Sequence, residues 1–252
     1  MKVSAAGLTD MGRVRDRNED FILVDWWRRL YVVADGMGGR PAGALASETA
    51  ARKISEALPG ALVRSIARAR DQRWRTRLAR KALICALQSA NRAVLALGTS
   101  GYACQGMAST VLVGLLIENH LYTAHAGDVR AYLVRGGAIR RLTRDHSVVE
   151  DLLELGRIDP DQARTHPKRH LVTKAIGAQE DLEPGFVATP LRPRDWIVLC
   201  SDGLWNLLEE DEILAELAMG GPPEDVTARL IEKANSAGGH DNIACVAIAC
   251  GR

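Results

Sequence analysis

This sequence has no disulfide or zinc framework. Its five cysteines, Cys85, Cys104, Cys200, Cys245 and Cys250, are odd in number and include no C-x-x-C pair, which argues against bridged pairs and against structural zinc. Four of the five fall in apolar stretches, where cysteine acts as a small hydrophobe. A reduced, cytoplasmic setting is the resulting expectation. Long apolar runs are missing as well. The best, residues 106–117, is interrupted by Ser109 and Thr110 and stopped by Glu118, well short of the roughly 20 residues that span a bilayer. Residues 1–5 carry none of the apolar character of a secretory leader. Nor is there an excess of one charge: 33 Lys and Arg stand against 31 Asp and Glu, a formal net charge of +2. The total gives no argument for nucleic acid or an anionic membrane, so neither is expected as a partner.

The chain has 252 residues, 47% hydrophobic and 25% charged, which is globular composition with room for a sizeable core. No internal repeat or low-complexity linker divides it, so a single domain over 1–252 is expected. Apolar runs at residues 21–26 and 30–34 suit buried strands, the second broken by Asp35-Gly36-Met37-Gly38-Gly39. Helical spacing follows over 42–57, closed by Pro59-Gly60, and again through Leu83, Leu87, Ala90, Val94 and Leu97. Strands return over 107–142. Residues 147–181 mix short helical pieces with Gly156, Pro160 and Pro167, as an irregular insertion on a scaffold does. A strand at 196–200, helical patterns over 209–235 and a strand at 243–249 complete the chain. The order is not a βα alternation. It predicts an α+β fold of antiparallel sheets covered by helices.

Aspartates recur at the strand ends. Glu19 and Asp20 precede the strand at 21–26, Asp35 ends 30–34, Asp128 follows 121–126, Asp202 follows 197–201 and Asp241 precedes 243–249. A carboxylate beside a buried strand is costly unless it is paired or bound to metal. Were these ends to lie at one edge of the sheets, the carboxylates would converge, and an oxygen-only set suits hard cations such as magnesium or manganese. Any one Asp-Gly pair taken alone is an ordinary turn.

Seven segments, in order, resemble the metal-dependent protein phosphatases of the 2C type in their compact bacterial form. They are Gly12-Arg13-Val14-Arg15-Asp16-Arg17-Asn18-Glu19-Asp20, Val33-Ala34-Asp35-Gly36-Met37-Gly38-Gly39 and Gly106-Met107-Ala108-Ser109-Thr110. Ala126-Gly127-Asp128-Val129-Arg130-Ala131-Tyr132 and Leu142-Thr143-Arg144-Asp145-His146-Ser147 come next. Leu199-Cys200-Ser201-Asp202-Gly203-Leu204 and Gly239-His240-Asp241-Asn242-Ile243 finish the set.

The resemblance implies two packed antiparallel sheets with helices outside and a metal centre at the sheet edges. It implies two to three Mn2+ or Mg2+ ions. Asp35 would bridge two of them with the Gly36 carbonyl on one, Asp202 and Asp241 would complete the other, and Glu19 and Asp20 would hold metal-bound waters. Asp128 with Asp202 would hold the third. Arg15 would grip the substrate phosphate, and residues 147–174 would form a flap. The implied reaction is hydrolysis of phosphoserine and phosphothreonine in proteins by a metal-activated water, without a covalent intermediate, in a monomer serving a serine/threonine kinase pathway. A phosphoprotein-binding pseudophosphatase is the alternative. Two departures stand out. Met37 replaces a histidine that some relatives carry as proton donor, leaving that task to a metal-bound water. Ala244 replaces a common Thr or Ser, a change expected to affect packing only.

Cysteine-based phosphatase chemistry needs an arginine six residues after the cysteine. The residues at that spacing are Asn91, Thr110, Asn206 and Gly251, and Cys250 has too little chain after it. His146 and His240 are expected to be structural or surface residues, and Trp26, Trp27, Trp196 and Trp205 to pack the sheet edges. Residues 64–81 carry seven arginines, Lys81 and one acid, Asp71. A solvated helix face is expected there, with docking of an acidic partner as the sharper alternative.

Overall fold

In a computed structural model the described residues are 1–38, 42–99 and 104–251; Gly39 of the second motif lies outside them. Ten strands form two antiparallel sheets. One has the order β1 (Val3–Asp10), β10 (Ile243–Cys250), β9 (Trp196–Cys200), β6 (Arg130–Arg135), β7 (Ala138–Arg141). The other has the order β2 (Asp20–Asp25), β3 (Leu30–Met37), β4 (Ala108–Ile117), β5 (His120–Ala126), β8 (Gly185–Pro190). On one side lie α1 (Ala42–Ala57), α2 (Gly60–Ala67) and the 27-residue α3 (Gln72–Gly98). On the other lie α6 (Asp202–Trp205), α7 (Glu210–Ala218) and α8 (Pro223–Ser236). The short α4 (Val148–Glu154) and α5 (Pro160–Thr165) fall in the irregular stretch.

Strand alternation explains the layering. On β3, Leu30, Val32 and Ala34 pack on Ile54, Leu83 and Leu87 of the helices. Tyr31 and Val33, on the opposite face, join Leu112, Ala131, Leu199, Ala244 and Val246 between the sheets. The far face of the first sheet, with Val198 and Cys245, packs on Leu204, Ile213 and Leu230. Each strand of a central pair therefore buries both faces, and each such Leu, Val or Ile contributes about 1.5–3 kcal/mol. The result is the expected α-β-β-α sandwich. The helix carrying Leu83, Leu87, Ala90, Val94 and Leu97 does face the core.

Several local expectations are corrected. β3 does not stop at Ala34. It continues through Asp35 and Gly36 to Met37, because β2 and β4 pair with it on both sides, Asp35 against Asp20 and Thr110. Gly60 opens α2 rather than only closing α1. Trp27 is 98% exposed and Trp26 49%; both sit on the β2–β3 turn instead of packing a sheet edge. Arg75 leaves the solvated face of residues 64–81. Its guanidinium donates to Gln72 Oε1, to Glu118 Oε2 at 2.7 Å and to the carbonyls of Ala67 and Ala69.

Candidate metal centre

The face that a strand residue occupies decides which carboxylates meet. On β3, Asp35 follows Tyr31 and Val33 at period two, so it points between the sheets. On β2, Asp20 shares its face with Ile22 and Val24, which pack in the inter-sheet core. The two aspartates stand opposite each other in register. Thr110 of β4, opposite Asp35, shares this face with Leu112. From the other sheet, Ser201 continues the face of Ile197 and Leu199, and Asn242 that of Ala244 and Val246.

Ser201 clamps the two sheets together. Its hydroxyl donates to Asp20 Oδ2 at 2.7 Å and accepts from the Ala244 amide at 2.8 Å. Asn242 fastens the loop before β2: its Oδ1 accepts from the Glu19 amide, and its Nδ2 donates to the carbonyls of Met11 and Arg17. That loop carries Arg15, whose Nη2 lies 2.7 Å from Asp241 Oδ2. At Gly36 the strand runs close against α1. A Cβ there would stand 2.1 Å from the Gly43 carbonyl oxygen of α1, and the Gly36 amide donates to the Glu19 carbonyl. The Glu19 side chain leaves on the face opposite Asp20 and lies against Gly43, where a Cβ would meet it at 2.7 Å, beside the electropositive N-terminal turn of α1.

Asp128 enters from the β5–β6 turn. Gly127 makes that turn with φ +102, and a Cβ on it would strike Thr110 at 2.3 Å, so only glycine brings Asp128 this close to β4. The turn is framed by His146, whose amide donates to the Gly127 carbonyl and whose Nδ1 accepts from the Gly127 amide. His146 stacks on buried His125 at 4.7 Å. Burial, with His125 adding, pushes its pKa down to about 3, so it is a neutral framing group. Trp205 Nε1 donates to the Asp128 carbonyl, and its ring carries the Arg130 guanidinium at 3.5 Å. Arg130 in turn holds Asp145 through both carboxylate oxygens. His240 is exposed.

The electrostatics are those of crowded like charges. Burial raises Asp35 well above the usual carboxylate range, with Asp20, Asp202, Asp128 and Asp241 adding to it. Burial lifts Asp202 likewise, with Asp128, Asp241 and Asp20 adding. Asp20 is pushed up to about 7 by burial and Asp241, against the Ser201 hydrogen bond, and Asp128 to about 6 by burial and Asp145. Asp35 and Asp202 keep part of their surface open to the cleft. Five carboxylates thus share one cleft, with Arg15 as the cation on Asp241.

This donor set fits hard divalent cations. Asp20 Oδ1 and Thr110 Oγ1 are buried with no hydrogen-bond partner, which is unusual for native polar atoms and marks a place for an ion or its water. Among the described residues no three His, Cys, Asp or Glu side chains form a ready-made cage.

The structure therefore brings Arg15, Asp20, Asp35, Gly36, Asp128, Asp202 and Asp241 to one end of the sandwich, while the Glu19 side chain lies on the α1 side against Gly43. The hydroxyl of Ser201 and the amide of Asn242 were not singled out from the sequence, although period-two alternation from Leu199 and Ala244 places both in the inter-sheet space.

Residues 9–177 match the family Protein phosphatase 2C. Protein phosphatase PhpP of Streptococcus pneumoniae is 34% identical over 239 residues, 94% of this chain and 93% of its own. The crystal structure of the Mycobacterium tuberculosis serine/threonine phosphatase PstP/Ppp superposes with a TM-score of 0.86 at 32% identity, covering 99% of each chain. The catalytic domain of serine threonine protein phosphatase PstP, solved in complex with two manganese ions, gives 0.83 at 31% identity over 99% of each chain. With a matched segment longer than half its length and a relative more than 30% identical along nearly all of it, this chain belongs to the protein phosphatase 2C family.

Proposed function

We propose that this protein is a metal-dependent phosphatase that hydrolyses phosphoserine and phosphothreonine in protein substrates, working opposite a serine/threonine kinase. The observation that carries this is the facing pair Asp20 and Asp35, on the inter-sheet side of adjacent strands and within electrostatic reach of Asp202 and Asp241. Asp35, the Gly36 carbonyl, Asp202 and Asp241 would hold two Mn2+ or Mg2+ ions, and Asp128 with Asp202 a third. Glu19 and Asp20 would hold the surrounding water. Bound there, such ions would neutralise phosphate charge and lower the pKa of a coordinated water.

The chain's own groups do the rest. Arg15, half exposed at the cleft mouth, offers a planar fork to two phosphate oxygens and stabilises charge that moves onto them in the transition state. Its hold on Asp241 keeps that fork beside the carboxylates. Met37 has no proton to give, so the leaving serine or threonine oxygen draws its proton from water. Residues 147–174, closed at their own base by the Ser147–Val172 bridge and followed by the Ser109–Ile176 bridge to β4, act as a flap over the site, and the whole chain acts as one catalytic domain. No described helix is long and apolar enough to cross a membrane. The test is phosphate release from a phosphothreonine peptide with manganese or magnesium, with and without excess chelator. Turnover should vanish in chelator and return with manganese; full turnover in chelator overturns the reading.

A further inference from the structure

A net charge of +2 conceals a strong segregation. Strand register places Asp20, Asp35, Asp202 and Asp241 at one end of the sandwich. It places the β2–β3 turn, the β4–β5 turn at Glu118 and the β8–β9 connection at the other, about 17 Å away at the strand rise per residue. The helices bring more chain to that second end. Arg28 Nη1 donates to the carbonyls of Ser55 and Leu58, where α1 gives way to α2. Arg75 ties the start of α3 to Glu118.

The acids at this end are already neutralised. Asp25 is held by Arg28, Glu118 by Arg75, Asp195 by Arg135, and Asp71 by Arg70 and the Trp74 amide. Arg29, Arg64, Arg68, Arg73, Arg192 and Arg194 make no ion pair among the described residues. The same end carries the three exposed tryptophans of the described chain: Trp27 (98%), Trp26 (49%) and Trp74 (42%). Trp27 does not hang on a loose tip. The next residue, Arg28, is fixed by Asp25, Ser55 and Leu58, so the indole is held out into solvent on a braced turn.

We propose that this basic, tryptophan-tipped end docks the protein on an anionic lipid surface. Indole rings settle at the headgroup level of a bilayer, where the ring is desolvated and its N–H stays wet. A headgroup layer accepts a projecting indole without a shaped pocket, whereas a protein partner would have to supply one. Cations from several separate segments at one end of the sandwich match a plane of negative charge better than a single peptide. Docked this way, the carboxylate cleft faces away from the lipid and remains open to substrate. The near-neutral total had given no reason to expect this, because a sum over the chain is blind to where the charges lie.

Flotation of the full chain with vesicles tests the proposal, comparing equimolar phosphatidylglycerol and phosphatidylcholine with phosphatidylcholine alone. Binding to the anionic vesicles only is expected. Arg64→Gln, Arg68→Gln and Arg73→Gln together should weaken it roughly a hundredfold, at about fivefold for each arginine near the surface. Trp27→Ser should weaken it about tenfold and remove most quenching of indole fluorescence by brominated lipid. Both variants should hydrolyse a soluble aryl phosphate at the parent rate. Absence of flotation overturns the proposal. So does flotation that survives Trp27→Ser unchanged, which is adsorption by charge alone, or capture by polyglutamate without capture by vesicles, which assigns the surface to an acidic polypeptide.

Discussion

Arg15 and Asp241, 226 residues apart in sequence, are joined at 2.7 Å between Nη2 and Oδ2. The pair couples the residue that would bind phosphate to one that would bind metal, at a mouth where both remain partly exposed. Arg15→Ala should raise KM more than it lowers kcat, with a loss in kcat/KM of about 1.5–3 kcal/mol, the range for a hydrogen bond to a charged group. Arg15→Lys should recover only part, since an ammonium lacks the two-pronged fork. Arg13→Ala and Arg17→Ala should be mild, because the contacts of those residues within the loop run through backbone atoms, the Arg13 amide to Gly239 and the Arg17 carbonyl to Asn242. Steady-state kinetics on one phosphopeptide compares all four variants, and a crippled Arg17→Ala beside a normal Arg15→Ala would move the phosphate contact.

Asn242 positions that loop without touching substrate. Its amide accepts from Glu19 and donates to Met11 and Arg17, so Asn242→Ala leaves three backbone groups short of a partner. A stability loss of about 2–3 kcal/mol is expected, with KM rising as Arg15 loses its setting. Denaturant unfolding and kinetics measured together separate this from a catalytic role, which would lower kcat with KM unchanged.

Asp128 approaches Asp202 from a different turn than the Asp20–Asp35 pair. Asp128→Ala should cost most of the activity while two ions remain bound, and Asp35→Asn should lose ions as well as activity. Calorimetric metal counting reads the difference; loss of every ion in Asp128→Ala contradicts a separate third site.

The layers of this fold were legible because period-two and period-3.6 patterns report burial directly, as at Leu30, Val32 and Ala34 or at Leu83 and Leu87. The convergence of the aspartates followed from their places beside strands. What sequence position hides is which neighbour is on offer. Asp35 read as a strand end because Asp-Gly is a turn signal, yet ladders on both sides carry the strand past it. Glu19 and Asp20 read as equivalent, although alternation sends one toward α1 and the other between the sheets. Trp27 read as packed because indoles usually are, and nothing in its neighbours shows that Arg28 braces the turn.

Arg75 differs from the arginines around it in the same way. Four acceptors surround its guanidinium, two of them carbonyls at the end of α2. Arg75→Ala should destabilise the fold by about 1–3 kcal/mol, while Arg68→Gln and Arg73→Gln leave the melting temperature unchanged. Equal effects at all three positions would mean that Glu118 and the α2 end find other partners.

The raised carboxylates set the sign of a pH effect on the metal-free protein. Asp20 rises from an ordinary 3.8 to about 7 and Asp128 to about 6, both chiefly by burial. A group whose pKa is higher in the folded chain holds its proton more tightly there. The folded state then carries more bound protons than the unfolded one between the two pKa values, and stability falls as pH rises through that window. In excess chelator the protein should therefore lose stability from about pH 4 to pH 7, by roughly a few kcal/mol, the reverse of a protein whose carboxylates are paired with cations. Manganese competes with protons for the same oxygens. Its stabilisation should be small at pH 4 and grow toward pH 7 as the carboxylates become free to bind. Melting curves at several pH values, with chelator and with manganese, decide the matter: a chelated protein that gains stability toward neutral pH would show that these carboxylates are relieved by partners within the chain.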